Sequence, residues 1–335
     1  MVDLSRPIFC IVGTDESINV IGRGLVFLGR FAPQAMALGV FIGLLAPWLT
    51  DLMRPLLSSA VWLLLVLSLL RVDVDAVVAQ LKRPILPVST TLWMLIASPL
   101  IVAAILTFFD FRPGVEAGMI LAAGSSALFS TPVLGVMFGL NGALLLVVLV
   151  ASTLLVPISL PLIALFLLGF DMGADPFELL VRMSALVTSA VIAAFVFKNM
   201  MGRETLVKYA HIIDGWAVIL LIIFAVAIMQ GLQARIIDAP MDTLVVTGLS
   251  FATYVGLMIL SGICFLCVGG KIGRQGLVSL GFISGTRNLA IILAVLPPNV
   301  DPDIPLFFAV GQFPIYIMPL VLRPVINRLL GKTKV

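Results

Sequence analysis

The segment SGTRN, at residues 284–288, places four polar or charged side chains in the middle of an apolar run. That run extends over 276–298 and is long enough to span a bilayer as a helix. A charged side chain at the membrane centre costs at least about 2.5–3.5 kcal/mol on insertion scales, so its presence in a span usually marks a function. The guanidinium of Arg287 offers five donors and pairs bidentately with carboxylate or phosphate groups. The segment therefore predicts a buried site for an ion or an anionic solute.

A second polar interruption, GSSALFSTP at residues 124–132, lies in an earlier apolar run. Proline removes a helical donor and glycine weakens a helix, so Gly124, Pro132 and Gly285 are the predicted break points. Broken backbone at membrane depth is stable only where it lines a cavity or meets another protein group. Two breaks predict one shared site, and a pair of ordinary kinks is the alternative. The predicted solute-binding residues are Arg287, Asn288, Thr286, Ser284, Thr131, Ser130, Ser126 and Asn141.

The buried charge of Arg287 has three possible partners. Backbone carbonyls freed by the breaks can hold it as a structural cation, or an anionic solute can bind it directly. The third alternative is an acidic side chain. None of the 17 Asp and Glu residues is an obvious mid-membrane partner, because those closest to a span interior lie near span ends. An unpaired buried charge is unfavourable, so one of the three must apply.

Composition indicates a membrane protein. Of the 335 residues, 61% are hydrophobic and 11% are charged, and apolar runs of about 20 residues follow one another as expected for spanning helices. The runs do not alternate with period two, which excludes barrel strands. The expected fold is all-α and polytopic. Its ten predicted spans lie at about 32–50, 56–72, 85–109, 115–139, 141–169, 177–199, 208–232, 242–270, 275–297 and 304–330.

The spans carry no residue pattern typical of an enzyme or a metal site. Cys10, Cys264 and Cys267 form no ligand spacing with His211, the single histidine. No HExxH motif, paired acids or nucleophile–base pair falls within the spans. The net charge of +3 does not indicate nucleic-acid binding, because positive charges in a membrane protein set its topology. We therefore expect no enzymatic activity, no metal or cofactor and no nucleic-acid partner.

The distribution of Lys and Arg predicts the orientation. Fifteen of the 20 fall in the N-terminal segment, the even-numbered loops and the C-terminus. Arg54, Arg112 and Arg235 fall in loops on the opposite side, and the other two lie in spans. By the positive-inside rule, both termini should be cytoplasmic, in a cell inner membrane. Residues 1–31 are then a cytoplasmic or interfacial segment, and residues 331–335 are a cytoplasmic tail.

Ten spans divide into a first five-helix repeat over 32–170 and a second over 171–330. Because five is an odd number, the second repeat enters the membrane in the opposite sense, which is the inverted-repeat plan of secondary transporters. The two polar breaks fall in the fourth span of each half. Inverted repeats bring such broken helices together near the membrane midplane. The expected fold is therefore two inverted repeats with helices four and nine broken.

The segment GSSALFSTPVLGVMFGLNGALLLVVLVASTLLVPISLP resembles the fourth and fifth helices of the bile acid:sodium symporter family, and SLGFISGTRNLAIILAVL resembles its ninth helix. The same order of ten spans covers nearly the whole chain from about residue 32. The resemblance implies a panel domain of helices one, two, six and seven, and a core domain of the other six. Within that core, helices four and nine are implied to unwind and cross at the binding site.

The residues that bind sodium in this family are largely replaced here. A hard cation such as sodium needs several oxygen ligands, by analogy with calcium and magnesium. The ninth-helix glutamine falls on Arg287, which brings its own positive charge. Sodium binding is therefore doubtful, and Arg287 is the expected substitute for the ion. The other family ligand positions read Thr131, Pro132, Leu145, Leu149, Ile283 and, for a helix-three glutamine, Met94 or a neighbour.

The expected function is a secondary transporter that moves a small organic anion or an amphipathic organic solute across the lipid bilayer by alternating access. Two alternatives stay open. One is a non-transporting membrane receptor or scaffold derived from a transporter, and the other is a sodium-coupled bile-acid-type symporter with a rebuilt ion site. The arsenite-carrier branch of the same fold group is disfavoured, because it is expected to need a cysteine near the fourth-helix break and none is there.

Overall fold

The computed structural model of the chain describes residues 32–72, 77–78, 80, 82, 84–169, 175–268, 272–297 and 299–331. Regular structure in this part of the chain is helical, apart from one isolated β-bridge between Ala127 and Arg287. The predicted N-terminal segment at 1–31 lies outside the described residues, as does the predicted tail beyond residue 331.

The first half of the described chain forms eight α-helices whose first and last residues are given below. A π-helical segment, Trp93–Ala97, joins the fourth to the fifth, and a second one, Ala164–Leu168, follows the eighth. The helices are α1 (Ala32–Leu45), α2 (Pro47–Met53), α3 (Leu57–Leu70), α4 (Ile85–Leu92), α5 (Ser98–Leu106), α6 (Pro113–Gly124), α7 (Thr131–Phe138) and α8 (Gly142–Ile163).

The second half forms eight more helices in the described residues. The first of them is kinked at Gly202, whose φ of 73° is not helical. They are α9 (Pro176–Lys208), α10 (Ala210–Ala227), α11 (Leu232–Asp238), α12 (Pro240–Val268), α13 (Arg274–Gly285), α14 (Ala290–Val295), α15 (Asp303–Val310) and α16 (Gln312–Leu329).

Six helices in the described residues are long and apolar enough to cross a membrane, as in a multi-pass membrane protein. A bent pair, Asp303–Met318 and Val321–Leu329, adds a seventh if its two pieces, 50° apart, form one span. The predicted spans 115–139 and 275–297 are each interrupted, so neither passes as a single helix. The six are Pro47–Leu70, Ile85–Leu106, Gly142–Leu168, Pro176–Gly202, Ile212–Asp238 and Pro240–Cys267.

The predicted boundary between the first two spans, 32–50 and 56–72, is wrong. The chain is helical from Pro47 to Leu70, with a 3-10 turn over Arg54–Leu56. The interruption lies earlier, at Ala46, whose φ of −126° and ψ of 75° are not helical. Pro47 has no backbone donor to lose at the first position of a helix, which explains why the helix starts there.

Helices α1–α3, α9 and α10 pack together, and we call them the panel helices. Gly39 and Gly43 lie one helical turn apart on α1, in the small-xxx-small spacing that lets membrane helices approach closely. A Cβ added at Gly43 would lie 2.9 Å from the carbonyl oxygen of Val226, and one at Gly39 would lie 3.1 Å from the Cβ of Ala225. Close contact with the backbone of α10 therefore requires glycine at position 43, whereas a Cβ at position 39 would need a small shift of Ala225.

Polar contacts join the panel helices at one end. Arg71, after α3, forms an ion pair with Asp214 of α10. Lys198 of α9 donates from Nζ to the carbonyl oxygen of Val72 at 3.0 Å. The sequence assigns both Arg71 and Lys198 to the positively charged side of the membrane. The structure places them close together, since Lys198 bonds to the residue that follows Arg71.

Helices α4–α8 and α12–α16 form a second packed set, the core helices. Four alternating charges, which we call the charge ring, lie at one end of this set. Arg112 contacts Asp242 at 2.9 Å and Asp303 at 3.2 Å. Arg235 contacts the same two carboxylates at 3.2 and 3.1 Å. The ring connects the starts of α6, α12 and α15 with the short helix α11.

Candidate functional site

The first polar break separates α6 from α7. Helix α6 ends at Gly124, and Ser125 after it is extended, with φ −74° and ψ 162°. Helix α7 begins at Thr131 and holds Pro132 in its first turn. A proline in the first turn removes a donor that has no helical acceptor anyway. The sequence predicts Pro132 as a break point within a helix. In the structure, Pro132 lies in the first turn of the half-helix that follows the break.

The second break separates α13 from α14. Helix α13 ends at Gly285, and the chain is non-helical from Thr286 to Leu289. The glycine allows close packing here, because a Cβ added at Gly285 would lie 2.8 Å from the carbonyl oxygen of Tyr254 on α12. Gly285 was predicted as a break point because glycine weakens a helix. The structure adds a second reason for glycine, because a larger side chain would not fit against α12.

The two breaks meet in an antiparallel bridge between Ala127 and Arg287. The amide of Asn288 donates to the carbonyl oxygen of Ser126 at 2.9 Å, and the amide of Leu128 donates to that of Thr286 at 3.0 Å. Backbone groups that each helix leaves unpaired at its break are therefore satisfied by the other break, as burial requires. We call this junction the crossing.

The guanidinium of Arg287 lies inside the protein and is 0% exposed. Its Nε donates to the carbonyl oxygen of Ser284 at 2.7 Å, and one terminal nitrogen donates to those of Ser125 and Met94 at 2.9 and 3.1 Å. The other terminal nitrogen donates to the Oγ of Ser98 at 2.9 Å. Four hydrogen bonds thus hold the side chain.

Each of the three carbonyls lacks a backbone donor because a helix is irregular at that point, although the Met94 carbonyl also accepts from the Oγ of Ser98 at 2.9 Å. Ser284 lies in the last turn of α13 and Ser125 follows the end of α6, where carbonyls have no intrahelical donor. Met94 lies in the π-helical segment Trp93–Ala97, in which the hydrogen-bond register is shifted. Pro99 follows that segment and has no N–H of its own to donate. The guanidinium therefore donates to carbonyl oxygens that have no backbone donor in their own helices.

The charge of Arg287 is balanced by helix ends. The carboxyl-terminal ends of α6 and α13 both meet at the guanidinium, and each such end carries roughly half a negative charge. Two of them match one positive charge in sum. No carboxylate pairs with Arg287 anywhere in the described ranges, so the acidic partner considered from the sequence is not seen there. The geometry favours a structural cation held by backbone over direct contact with a solute.

Two other polar groups at the crossing are buried without a hydrogen-bond partner among the described residues. These are the Oγ of Ser126 and the Nδ2 of Asn288. The two residues are paired through their backbones across the crossing, because the amide of Asn288 donates to the carbonyl of Ser126. The Oδ1 of Asn288 accepts from the amide of Ala290 at 3.1 Å, which fixes the orientation of the side chain. Unpaired buried donors cost about 1–3 kcal/mol each, so these groups are suited to an acceptor atom from outside the chain.

Other predicted site residues serve the crossing structurally. The Oγ1 of Thr131 donates to that of Thr286 at 2.9 Å and joins α7 to the second break. The Oγ of Ser284 donates to that of Ser261 on α12 at 2.8 Å. All of these hydroxyls are buried and paired, so they hold the broken ends in place.

Ser130 and Asn141 do not join this cluster. Ser130 is partly exposed, and its carbonyl accepts from the amide of Leu134 at 3.0 Å. Asn141 is the N-cap of α8, where its Oδ1 accepts from the amide of Leu144 at 3.1 Å. Asn141 lies eleven residues before Ser152, which contacts the crossing, or about 16 Å along the helix. Asn141 therefore lies apart from the crossing and serves as a helix cap there, while its predicted role in solute binding stays a prediction.

Two hydroxyls at the crossing were not among the predicted site residues. The Oγ of Ser152, on α8, accepts from the amide of Ala127 at 3.1 Å. Ser98 accepts from Arg287 and lies 2.8 Å from the carbonyl oxygen of Ala123 at the end of α6. Ser98 is followed by a proline inside an apolar run, and this could have marked it as a site residue. Many such serines, however, bond only to a carbonyl of their own helix.

Comparisons of the sequence with known proteins do not assign this chain to a family. Neither a scan against protein-family models nor a search of curated proteins finds a match to this chain.

Proposed function

We propose that the chain is a secondary transporter of a small organic anion or an amphipathic organic solute, in which Arg287 takes the place of a bound cation. The observation that carries the proposal is the burial of the Arg287 guanidinium among the carbonyls of Ser284, Ser125 and Met94, where two broken helices cross. Secondary transporters with inverted repeats bind solute and coupling ion at such broken helices.

The proposed architecture has ten spans in two inverted repeats. The breaks α6–α7 and α13–α14 belong to the fourth span of each proposed repeat. In this architecture α13 and α14 form one broken span, as do α6 and α7. Helices α15 and α16 together form the last span. The resemblance to the bile acid:sodium symporter family stays a proposal that rests on the sequence motifs.

The guanidinium supplies a permanent positive charge at the crossing, and this favours transport that does not depend on sodium. Three carbonyl oxygens that would otherwise attract a cation are already bonded to Arg287. A sodium ion at the same point would meet a fixed like charge at short range and few free oxygens. The coupling of transport to sodium is therefore proposed to be lost at this point.

The solute is proposed to bind at Ser126 and Asn288. The side-chain amide nitrogen of Asn288 and the hydroxyl of Ser126 are both buried there without a hydrogen-bond partner among the described residues. A carboxylate, sulfonate or carbonyl oxygen accepts from both kinds of donor. The positive charge of Arg287 favours an anionic head group at the crossing through the intervening protein, where charges are weakly screened.

Uptake of labelled organic anions into proteoliposomes tests this function. We expect saturable uptake of at least one small organic anion, with equal rates in sodium and in potassium. Asn288→Leu removes the unpaired donors and should abolish uptake, whereas Asn141→Ser, which keeps a helix cap, should leave it unchanged. Absence of saturable uptake across a panel of carboxylates, sulfonates and neutral amphipathic solutes would contradict the proposal.

A further inference from the structure

We propose that the structure is the conformation closed at the end that carries the charge ring, and that Ser58 of α3 forms the closing contact on α14. The inference rests on the proposed transport function and names the residues that seal one side of the crossing. It concerns the half of the second broken helix that follows the break.

A hydrogen bond joins a panel helix directly to this half-helix. The Oγ of Ser58 donates to the carbonyl oxygen of Ala294 at 2.7 Å. Helix α14 has six residues, and Ala294 lies in its last turn, where carbonyls have no intrahelical donor. Ser58 therefore satisfies a carbonyl of a core helix with a side chain from a panel helix.

Apolar packing surrounds this hydrogen bond. Leu57 and Val61 flank Ser58 on α3 and are almost completely buried. They belong to the same hydrophobic cluster as Ala290 and Leu293 of α14. Helix α9, another panel helix, also packs against α14. Ser58 itself is exposed, so the seal at this point consists of the buried apolar side chains that flank its hydrogen bond.

The other half of the crossing has a different environment. A second hydrophobic cluster lies around α7 and α13, and among the described residues its members come from core helices and their junctions, without any residue of a panel helix. On α7, Val136 and Met137 are 53% and 63% exposed. Panel and core helices thus pack together on the α14 side of the crossing, and α7 presents apolar side chains that the panel helices do not cover.

This asymmetry determines the route to Ser126 and Asn288. Asn288 precedes α14 by two residues, so the seal between α3 and α14 covers the approach from the charge-ring end. The approach from the α13 end lies beside helices that only core residues surround. Ser126 and Asn288 are buried, 0% and 1% exposed, so the route to them is closed at rest and opens at the α13 end. Arg274, at the start of α13, belongs to the side predicted to be cytoplasmic, so the side that opens is the cytoplasmic one. In the opposite conformation, the Ser58–Ala294 contact is broken and panel helices cover α7.

Chemical cross-linking in native membranes tests the closed contact. Cys10, Cys264 and Cys267 are first replaced by Ser, and a cysteine pair is then introduced as Ser58→Cys with Ala294→Cys. A short bis-maleimide should link this pair in most molecules. The matched control, Ser58→Cys with Val136→Cys, should link poorly, because Val136 lies on the other half of the crossing. Efficient linking of the control pair and not of the first pair would overturn the proposal.

Labelling of a reporter cysteine gives an independent measurement. Ser126→Cys, in the same cysteine-free background, is exposed to a membrane-impermeant maleimide in inside-out and right-side-out vesicles. We expect labelling at least tenfold faster from the α13 end, and equal or faster labelling from the charge-ring end would overturn the proposal. Neither measurement needs a transported solute. A failure here is therefore distinguishable from a failure of the uptake experiment, which tests the proposed function.

Discussion

At the residue scale, Arg287 joins four segments of the chain that meet at the crossing. Its guanidinium bonds to groups from α5, α13, the π-helical segment and the first break. A lysine would keep the charge but lose the planar fork that reaches these acceptors together. The side chain therefore acts as a structural centre for the crossing as well as a fixed charge.

Replacement of Arg287 by glutamine should destabilise the protein strongly. The change leaves at least two of the carbonyls of Ser284, Ser125 and Met94 without donors, and each buried unsatisfied group costs about 1–3 kcal/mol. We expect a loss of at least about 2 kcal/mol in the free energy of unfolding in detergent. Arg182→Gln is the control, because Arg182 is half-exposed and pairs with Glu178 on its own helix. Equal effects of the two changes would contradict the structural role of Arg287.

Ser98 is predicted to matter through the same guanidinium. Ser98→Ala removes the acceptor of one terminal nitrogen and should cost about 1–2 kcal/mol, while Ser98→Thr, which keeps the hydroxyl, should recover most of the loss. Ser89→Ala serves as the control, since the Ser89 hydroxyl donates to the carbonyl oxygen of Leu86 in its own helix. Thermal unfolding monitored by intrinsic fluorescence measures all three. A Ser98→Ala effect no larger than that of Ser89→Ala would contradict the assignment.

At the element scale, glycine spacing predicts how closely the panel helices approach. Gly43→Ala places a Cβ 2.9 Å from the carbonyl oxygen of Val226, which must move, and such overpacking costs about 1–3 kcal/mol. Gly248→Ala, inside α12, has open space around the added Cβ. It should be neutral or stabilise by up to about 1 kcal/mol, because alanine favours a helix. A comparison of unfolding midpoints in the same detergent checks the pair, and a larger loss for Gly248→Ala would contradict it.

The broken helices were the elements that the sequence predicted best. Polar residues inside apolar runs mark both interruptions, because a bilayer penalises unpaired polar groups whatever the tertiary structure. A proline can start a helix or end one. The sequence alone does not show that Pro47 starts a helix and that Pro55 does not end one, so the boundary at Ala46 was missed. The sequence likewise does not show that Asn141 caps a helix, since its side chain suits a helix cap as well as a binding site.

The partners of Arg287 could not be predicted from the sequence. Three of its four acceptors are backbone carbonyls, which every residue possesses, and only the fold decides which of them are free. Met94 was named through the family resemblance, but as a lost side-chain ligand and not for its backbone. The pairing of Ser126 with Asn288 likewise depends on the register of the bridge, which no local pattern specifies.

At the scale of the whole molecule, the charge ring joins three separate connections of the chain. Asp303 is the most buried of its members, with a side chain 11% exposed, and both Arg112 and Arg235 contact it. All of the ring lies at the end that the sequence assigns to the less positive side. The ring therefore fixes the core helices to each other and to α11 where the chain passes from panel to core.

A double-mutant cycle measures the contribution of the ring. Arg112→Gln and Asp303→Asn, singly and together, should give a coupling energy of about 1 kcal/mol that falls as salt is added, because the arginine is partly exposed. The matched cycle of Arg182→Gln with Glu178→Gln probes an exposed pair on one helix and should give about 0.3–0.5 kcal/mol. A ring coupling below that of the exposed pair would contradict the proposed connection.

The proposed function depends on a fixed guanidinium that takes the place of a bound cation at the crossing of the broken helices. The most direct test is the Tm of the purified native protein in sodium chloride and in potassium chloride at equal ionic strength, titrated to high concentration. We predict the same Tm in both salts, because the carbonyls that would coordinate sodium are bonded to Arg287. A saturable rise of Tm in sodium alone would contradict the claim and would mean that the protein binds sodium through other oxygens.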